Sequence, residues 1–383
     1  KPLAILSKLT DAQGLGLNVI SEQYSYTFDQ DLNAKMDFKL PYSEEGLLQF
    51  GLRYRGKNKE RDNNLFEYAP LDKNAFGATL GAVQNRSYSD PNFLAGAQYA
   101  AGNFVTPEFL GGLNLKNAVQ FEETDVLEDY VPGNYLAKES IVGAYVMADH
   151  QLSEKFSAIA GLRLESTSID YTGNLYDVDN EEVSSDKGDQ SYSNFMPGLH
   201  LKYDANSNSV IRFAWTNTIA RPNYFDLVPY ALFSAEDAVL ERGNPNLKAT
   251  TAMNFDLMAE RYYDNVGLLS FGGFYKDLDN FVYTITTQGY SEPQFGSNLE
   301  YTRPDNGGTA SVYGFETSIQ RQIGKYFGIY LNHTLTKSST TGIEGREGDD
   351  LQLPGTAENM FNASLSFENK KLVVRVSLNY ASD

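Results

Sequence analysis

The chain has 383 residues, with 31 Lys and Arg against 50 Asp and Glu, a formal net charge of −19 and no cysteine. The missing cysteines exclude a disulfide scaffold, thiolate metal sites and cysteine nucleophiles, and the acidic balance argues against nucleic acid as a partner. No apolar run reaches the roughly 18 residues of a membrane helix, and a mean hydropathy of −0.41 reads as that of an ordinary soluble protein.

The chain opens at Lys1-Pro2-Leu3 without a signal segment and stops at Ala381-Ser382-Asp383, and both ends read as cut. The first strands fall at 33–40 and 48–55, joined by a short polar turn at 41–46. The stretch 56–139 that follows is too long to be structureless in a compact protein. It is expected to hold two weak strands and a short helix near Glu108. Strands at 142–152 and 156–167 flank another short turn, and a long irregular stretch is expected over 169–191. In 194–203, Phe195, Pro197, Leu199, Leu201 and Tyr203 alternate with Asn194, Gly198, His200 and Lys202. In 209–219, Ile211, Phe213 and Trp215 alternate with Arg212, Ala214 and Thr216. Long stretches at 221–249, 281–309 and 337–357 then separate the strand pairs 253–262 with 266–276, 313–320 with 326–336, and 359–367 with 372–380. Period-2 alternation thus marks twelve strands, and helical periodicity is nowhere sustained.

The repeating unit is strand, short turn, strand, long loop, without the sequence repeat of a propeller or solenoid. A transmembrane β-barrel requires this asymmetry. Lipid leaves no partner for an open backbone, so only helices and closed barrels can span it. Barrel strands cross in about 9–11 residues, apolar side chains outward and polar ones toward the lumen. The polar faces carry Arg53, Arg55, Arg163, Glu165, Arg212, Asp256, Glu260, Glu316 and Arg375. The competing fold is a soluble all-β protein with one face on a core. Strand length, the one-sidedness of the long loops, and aromatics near strand ends (Tyr54, Phe156, Tyr203, Tyr263, Tyr326, Phe327, Phe367, Tyr380) weigh against it.

Specific motifs appear at 216–230 (TNTIARPNYFDLVPY) and 241–248 (ERGNPNLK), with NYLAKESIVGAYVMA at 134–148, AGLRLE at 160–165, GFYKDLDNF at 273–281 and YGFE at 313–316. In order and spacing this chain resembles the barrel of a TonB-dependent outer-membrane receptor, of the Bacteroidetes or xanthomonad and caulobacter type. The resemblance implies an all-β fold: an antiparallel transmembrane β-barrel segment, with short periplasmic turns and long extracellular loops. Such barrels have about 22 strands, of which residues 1–383 would be a partial barrel domain, the plug domain and terminal strands missing. It further implies residence in the outer membrane of a Gram-negative bacterium and active uptake of a scarce solute. The implied partners are TonB, reached through the missing N-terminal region, then outer-membrane lipid and lipopolysaccharide, and a surface lipoprotein as a candidate. A glycan oligomer is the favoured solute, and a siderophore or metal chelate the other. The aromatic-rich loops and the lack of a cationic loop cluster lean toward a neutral glycan.

Candidate ligand contacts are Tyr88, Tyr99, Tyr224, Phe225, Tyr230 and Phe233, because exposed rings stack on sugars at low entropy cost. The same rings serve equally well as small cores that let long loops fold. The motif residues Arg221 and Pro222 are expected to end strand pairing at the outer rim. Gly243, Asn244, Pro245 and Leu247 are expected to turn the chain into the next strand. The acidic stretch 177–189 departs from a calcium loop at its sixth position, Glu182, and reads as a solvated loop. His150, His200 and His333 lie on separate strands, with His200 facing the lumen, and nothing in their spacing supports a metal site or catalysis. No cofactor and no catalytic residue is expected. A passive channel and a soluble carbohydrate-binding module are the alternative functions.

Overall fold

The structure, a computed structural model, describes residues 16–72, 82–85, 104–178, 181–235, 237–263 and 267–382. In chain order the strands are β1 (Ile20–Ser43), β2 (Gly46–Pro70), β3 (Gln84–Asn85), β4 (Phe104–Val105), β5 (Phe121–Asp125), β6 (Tyr135–Ser153), β7 (Phe156–Asp177), β8 (Glu182–Asn206) and β9 (Ser209–Ala220). There follow β10 (Ala231–Ser234), β11 (Val239–Arg242), β12 (Thr250–Tyr263), β13 (Gly267–Asp279), β14 (Val282–Glu292), β15 (Gly296–Asn306), β16 (Thr309–Ile323), β17 (Phe327–Thr340), β18 (Asn359–Glu368) and β19 (Val373–Ala381).

Twelve of these, β1, β2, β6, β7, β8, β9, β12, β13, β16, β17, β18 and β19, pair in sequence as an antiparallel meander. They coincide with the twelve strands marked by alternation. The pairing register explains why these residues form a wall. Ile159 stands opposite His200, His200 opposite Ala214, Ala214 opposite Asp256, Asp256 opposite Phe274, Phe274 opposite Gly314 and Gly314 opposite Thr336. Side chains alternate along each strand, so Arg163, Glu165, Arg212, Glu260 and Glu316 share the face of His200. Arg375 joins them through Ser366 and Gly328. The opposite face presents Phe195 (64 % exposed), Leu257, Phe271 and Phe315, in an apolar surface that water would not tolerate.

The buried apolar clusters among the described residues are built from the loops and from the ends of β6 and β7 that the loops pack against. One gathers Tyr135, Ile169, Tyr171, Leu227, Val228, Tyr230 and Leu247, and the other Phe233, Leu240, Phe295, Leu299 and Tyr301. A soluble sheet would carry its core against one face of its strands. Here the long strands keep one apolar face open, while the cores form where the loops fold onto the ends of β6 and β7, which is the arrangement of a wall in lipid. Aromatic rings collect near the short turns. Phe327 packs edge-on against Phe367 with centroids 5.2 Å apart, and Tyr42 stacks on His150 at 5.7 Å.

Three expectations need correction. The stretch 169–191 is regular: β7 and β8 run 22 and 25 residues and stay paired to Asp177 opposite Glu182. A crossing needs about 9–11 residues, so the hairpin continues beyond the bilayer, where Ile169 and Tyr171 pack into the first loop core while Ser168 and Asp170 are exposed. Likewise 281–309 forms the hairpin β14–β15, and 221–249 forms a short helix, Tyr224–Leu227, and the hairpin β10–β11. β11 runs parallel to β15, pairing Leu240 with Tyr301, and so joins two loops into one small sheet.

The chain divides into two compact units, Lys1–Thr27 with Arg61–Asn134, and Phe28–Glu60 with Tyr135–Asp383. The second contains most of the wall. In the first, β5 pairs with the end of β2, and Tyr68 is fully buried. Lys116 lies over the rings of Phe66 and Tyr68, at 4.8 and 5.0 Å. Asn63 and Asn134 exchange two hydrogen bonds of 2.7 and 2.8 Å. The helix expected near Glu108 is Pro107–Gly111, capped by the Thr106 side chain, which accepts from the Phe109 amide.

Candidate functional site

The second unit gathers an arginine and glutamate cluster on the inner face. Glu165, near the middle of β7, accepts from Arg163 on one oxygen (2.7 Å) and from Arg221 on the other (2.8 Å). Arg221 also donates to the Thr167 hydroxyl at 2.9 Å, and its Nε stands 3.9 Å from Glu139. The Glu139 side chain is only 4 % exposed and takes a further hydrogen bond, 3.0 Å, from the Tyr224 hydroxyl. Burial and the Glu139 carboxylate push the Tyr224 hydroxyl up, so it stays protonated and donates. On β2, Arg55 forms a close pair with Asp31 (2.8 Å), while Arg53 donates only to the neutral Asn33 amide oxygen at 3.2 Å.

These groups come from the fold in a simple way. Arg53 and Arg55, and likewise Arg163 and Glu165, are two residues apart on a strand and therefore point the same way. Gly143 on β6 sits opposite Glu165, and a Cβ there would lie 2.9 Å from the Arg163 guanidinium. Glycine thus leaves the space the guanidinium fills. A cavity of about 120 Å³ remains between Arg53, Arg55, Ile141, Gly143, Arg163, Glu165 and Arg221.

The motif residues at 221–247 fall into place around this cluster. Pairing of β9 with β12 ends at Ala220, where the Arg-Pro step takes the chain off the wall. Gly243 comes so close to the preceding loop segment that a Cβ would run into the Val228 carbonyl oxygen and the Tyr230 ring. Asn244 donates to the Pro304 carbonyl (3.0 Å) and accepts from the Asn246 amide (3.0 Å). The Pro245 carbonyl accepts from the Tyr171 hydroxyl at 2.7 Å, and that of Leu247 from Gln190 at 2.8 Å. Leu247 itself is fully buried in the first loop core. The turn therefore pins the loop to the projecting β7–β8 hairpin.

Tyr224, Phe225 and Tyr230 pack in or against that first core, Phe225 stacking on Tyr230 with centroids 4.4 Å apart. The Tyr230 hydroxyl, pushed up by burial and by Glu241, donates to Glu241 at 2.7 Å. Phe233 is buried in the second core against Phe295. Tyr88 and Tyr99 lie outside the described residues. The structure thus brings three of the candidate rings together as loop packing and places Phe233 in a separate cluster. Sequence reasoning missed Glu139 and the partnership of Glu165 with Arg221. The available signal was that 134–148, 160–165 and 216–230 each carried a motif, and their charged members meet at one point.

Gly243→Ala is expected to loosen the loop by about 1–3 kcal/mol of overpacking. Limited proteolysis of intact cells should then cut within 221–249 faster than in the parent, and equal rates would contradict the packing.

A family model described as TonB dependent receptor-like, beta-barrel matches residues 7–383. No curated protein matches the chain significantly. Among solved structures it is similar to the copper transporter OprC, with 11 % identity, TM-score 0.57, and coverage of 94 % of this chain and 44 % of the other. The ferric citrate transporter FecA gives 10 % identity and TM-score 0.54 over 95 % of this chain and 43 % of that one. The ferric-catecholate import receptor Fiu from E. coli K12 gives 13 % and 0.51, over 94 % and 55 %. The chain therefore spans about half the length of these proteins or less.

Proposed function

The chain belongs to the TonB-dependent receptor β-barrel family, and on that premise we propose that it is wall and outer loops of a receptor that imports a scarce solute with energy delivered through TonB. Barrels of this family lie in the outer membrane of Gram-negative bacteria. The observation that carries the proposal is the two-faced wall. One face is apolar and open over strands long enough to cross lipid, and the other holds charges of both signs in ordered pairs. Such an inner face suits contact with a plug and with a passing solute. The outer loops are folded, with cores of their own, as a binding surface requires.

The solute classes divide by charge. Loop aromatics lean toward a neutral glycan oligomer, with a siderophore or metal chelate as the other candidate. Folding adds an arginine-rich cluster with glutamate partners, built from strand residues and Arg221 of the following loop. A surface lipoprotein and lipopolysaccharide complete the proposed surroundings.

The proposal predicts that the complete receptor carrying this chain, in a planar bilayer, passes no steady current and captures the purified periplasmic domain of TonB. A steady open-channel current without TonB capture would replace it with a passive channel.

A further inference from the structure

We propose that the cavity between Arg53, Arg55, Arg163 and Arg221 binds a carboxylate group of the imported solute, with Arg53 as the guanidinium free to engage it. This rests on the transport reading and narrows its substrate class to carboxylate-bearing solutes, whether an acidic glycan or a carboxylate chelate. The lining carries four guanidinium groups and one carboxylate, Glu165. Glu165 has both oxygens engaged, by Arg163 and Arg221. Asp31 is held by Arg55 through two nitrogens, at 2.6 and 2.8 Å. Glu139 lies near Arg221 and accepts from Tyr224. Three arginines thus have carboxylates in reach, and Arg53 meets only the Asn33 amide oxygen.

A planar guanidinium presents a fork of donors that fits a carboxylate in two-point contact. Asn33 occupies only the Nε of Arg53, so the side chain remains competent for such a contact. At about 120 Å³ the space is well below the roughly 300–1,000 Å³ of a pocket that encloses a whole small molecule. It is suited to one charged group of a larger solute. The surrounding ion pairs hold the other three guanidiniums in place and offset their charge, so a carboxylate entering beside Arg53 meets one unpaired guanidinium in an ordered setting. This differs from a stacking site: recognition is by charge and geometry and weakens with salt.

The test uses the complete receptor in detergent, with radiolabelled citrate in equilibrium dialysis as the carboxylate probe and its uncharged tricarboxamide as competitor. Citrate should bind, the tricarboxamide should not displace it, and Arg53→Gln should weaken binding about tenfold to a hundredfold, as loss of a charge-assisted hydrogen bond does. Arg53→Lys, which keeps the charge, should recover part of the affinity and guards against a folding defect. The inference is overturned if the parent does not bind citrate, if Arg53→Gln binds it equally, or if the tricarboxamide competes. Absent citrate binding with a lower melting temperature for Arg53→Gln would assign the cavity to a carboxylate of the receptor itself. A receptor that captures TonB but ignores citrate sinks this inference alone, and one that binds citrate but conducts openly without TonB capture sinks the transport reading alone.

Discussion

Replacing Arg221 by Ala is expected to strip most of the folded receptor from the outer membrane. Among the described residues, Arg221 is the one side chain that touches Glu165, Thr167 and Glu139 together. Its removal leaves the nearly buried Glu139 with only the Tyr224 hydroxyl, and Glu165 with one oxygen bare. Breaking a buried ion pair by deleting one partner costs about 3–5 kcal/mol, because the remaining charge is stranded away from water. That is a large share of a typical folding free energy of about 5–15 kcal/mol. Arg221→Lys should fall between, since an ammonium cannot reach all three partners with a planar fork. The double variant Arg221→Gln with Glu139→Gln should recover part of the loss by removing the stranded charge, since Glu165 keeps Arg163 as a partner. The measurement is the amount of receptor in outer-membrane fractions that shifts mobility on heating, as folded barrels do. Full abundance of Arg221→Ala would show that the cluster does not hold the wall.

The second large effect concerns the two faces of β9. Phe213→Arg should impair assembly far more than Arg212→Phe. Phe213 stands opposite Leu201 and Leu257, on the open apolar face. An arginine there would meet lipid at a cost of about 2–4 kcal/mol near mid-depth. Arg212 stands opposite Lys202 and Met258 on the inner face, where it pairs with Glu260 at 3.1 Å. Its side chain is 46 % exposed, and surface pairs of this kind are worth about 0–1 kcal/mol. Equal tolerance of the two changes, scored by the same heat-shift assay, would reverse the assignment of inside and outside.

Both predictions separate what was legible in the sequence from what was not. Alternation at Phe213 and Arg212 was readable because lipid and lumen impose opposite demands on neighbouring residues. A slip of one residue would turn every side chain to the wrong face, so the register is fixed by the same pattern. Past the bilayer the demand lapses. Asp170 faces Asp189 across a continuing ladder, but residues 182–191 of β8 carry Val183 as their one apolar side chain and show no alternation, and the stretch 169–191 therefore read as irregular. The helix Pro107–Gly111 was legible near its true place, since proline and a capping threonine are local signals. Loop aromatics such as Tyr230 and Phe233 were visible as rings, but a sequence does not show whether a ring faces solvent or another ring. The structure packs both.

The sequence by itself determined an all-β wall of twelve strands, its two faces, and the alternation of short turns with long loops, because each is enforced by a local, periodic contact with solvent or lipid. Tertiary structure alone decided that Arg53, Glu139, Glu165 and Arg221, drawn from three strands and a loop, surround one point on the inner face. It also decided that the Gly243 turn is bolted to the hairpin β7–β8. Electrostatic pairing acts through space and leaves no period in the chain, so charges far apart in sequence become partners only once the strands lie side by side.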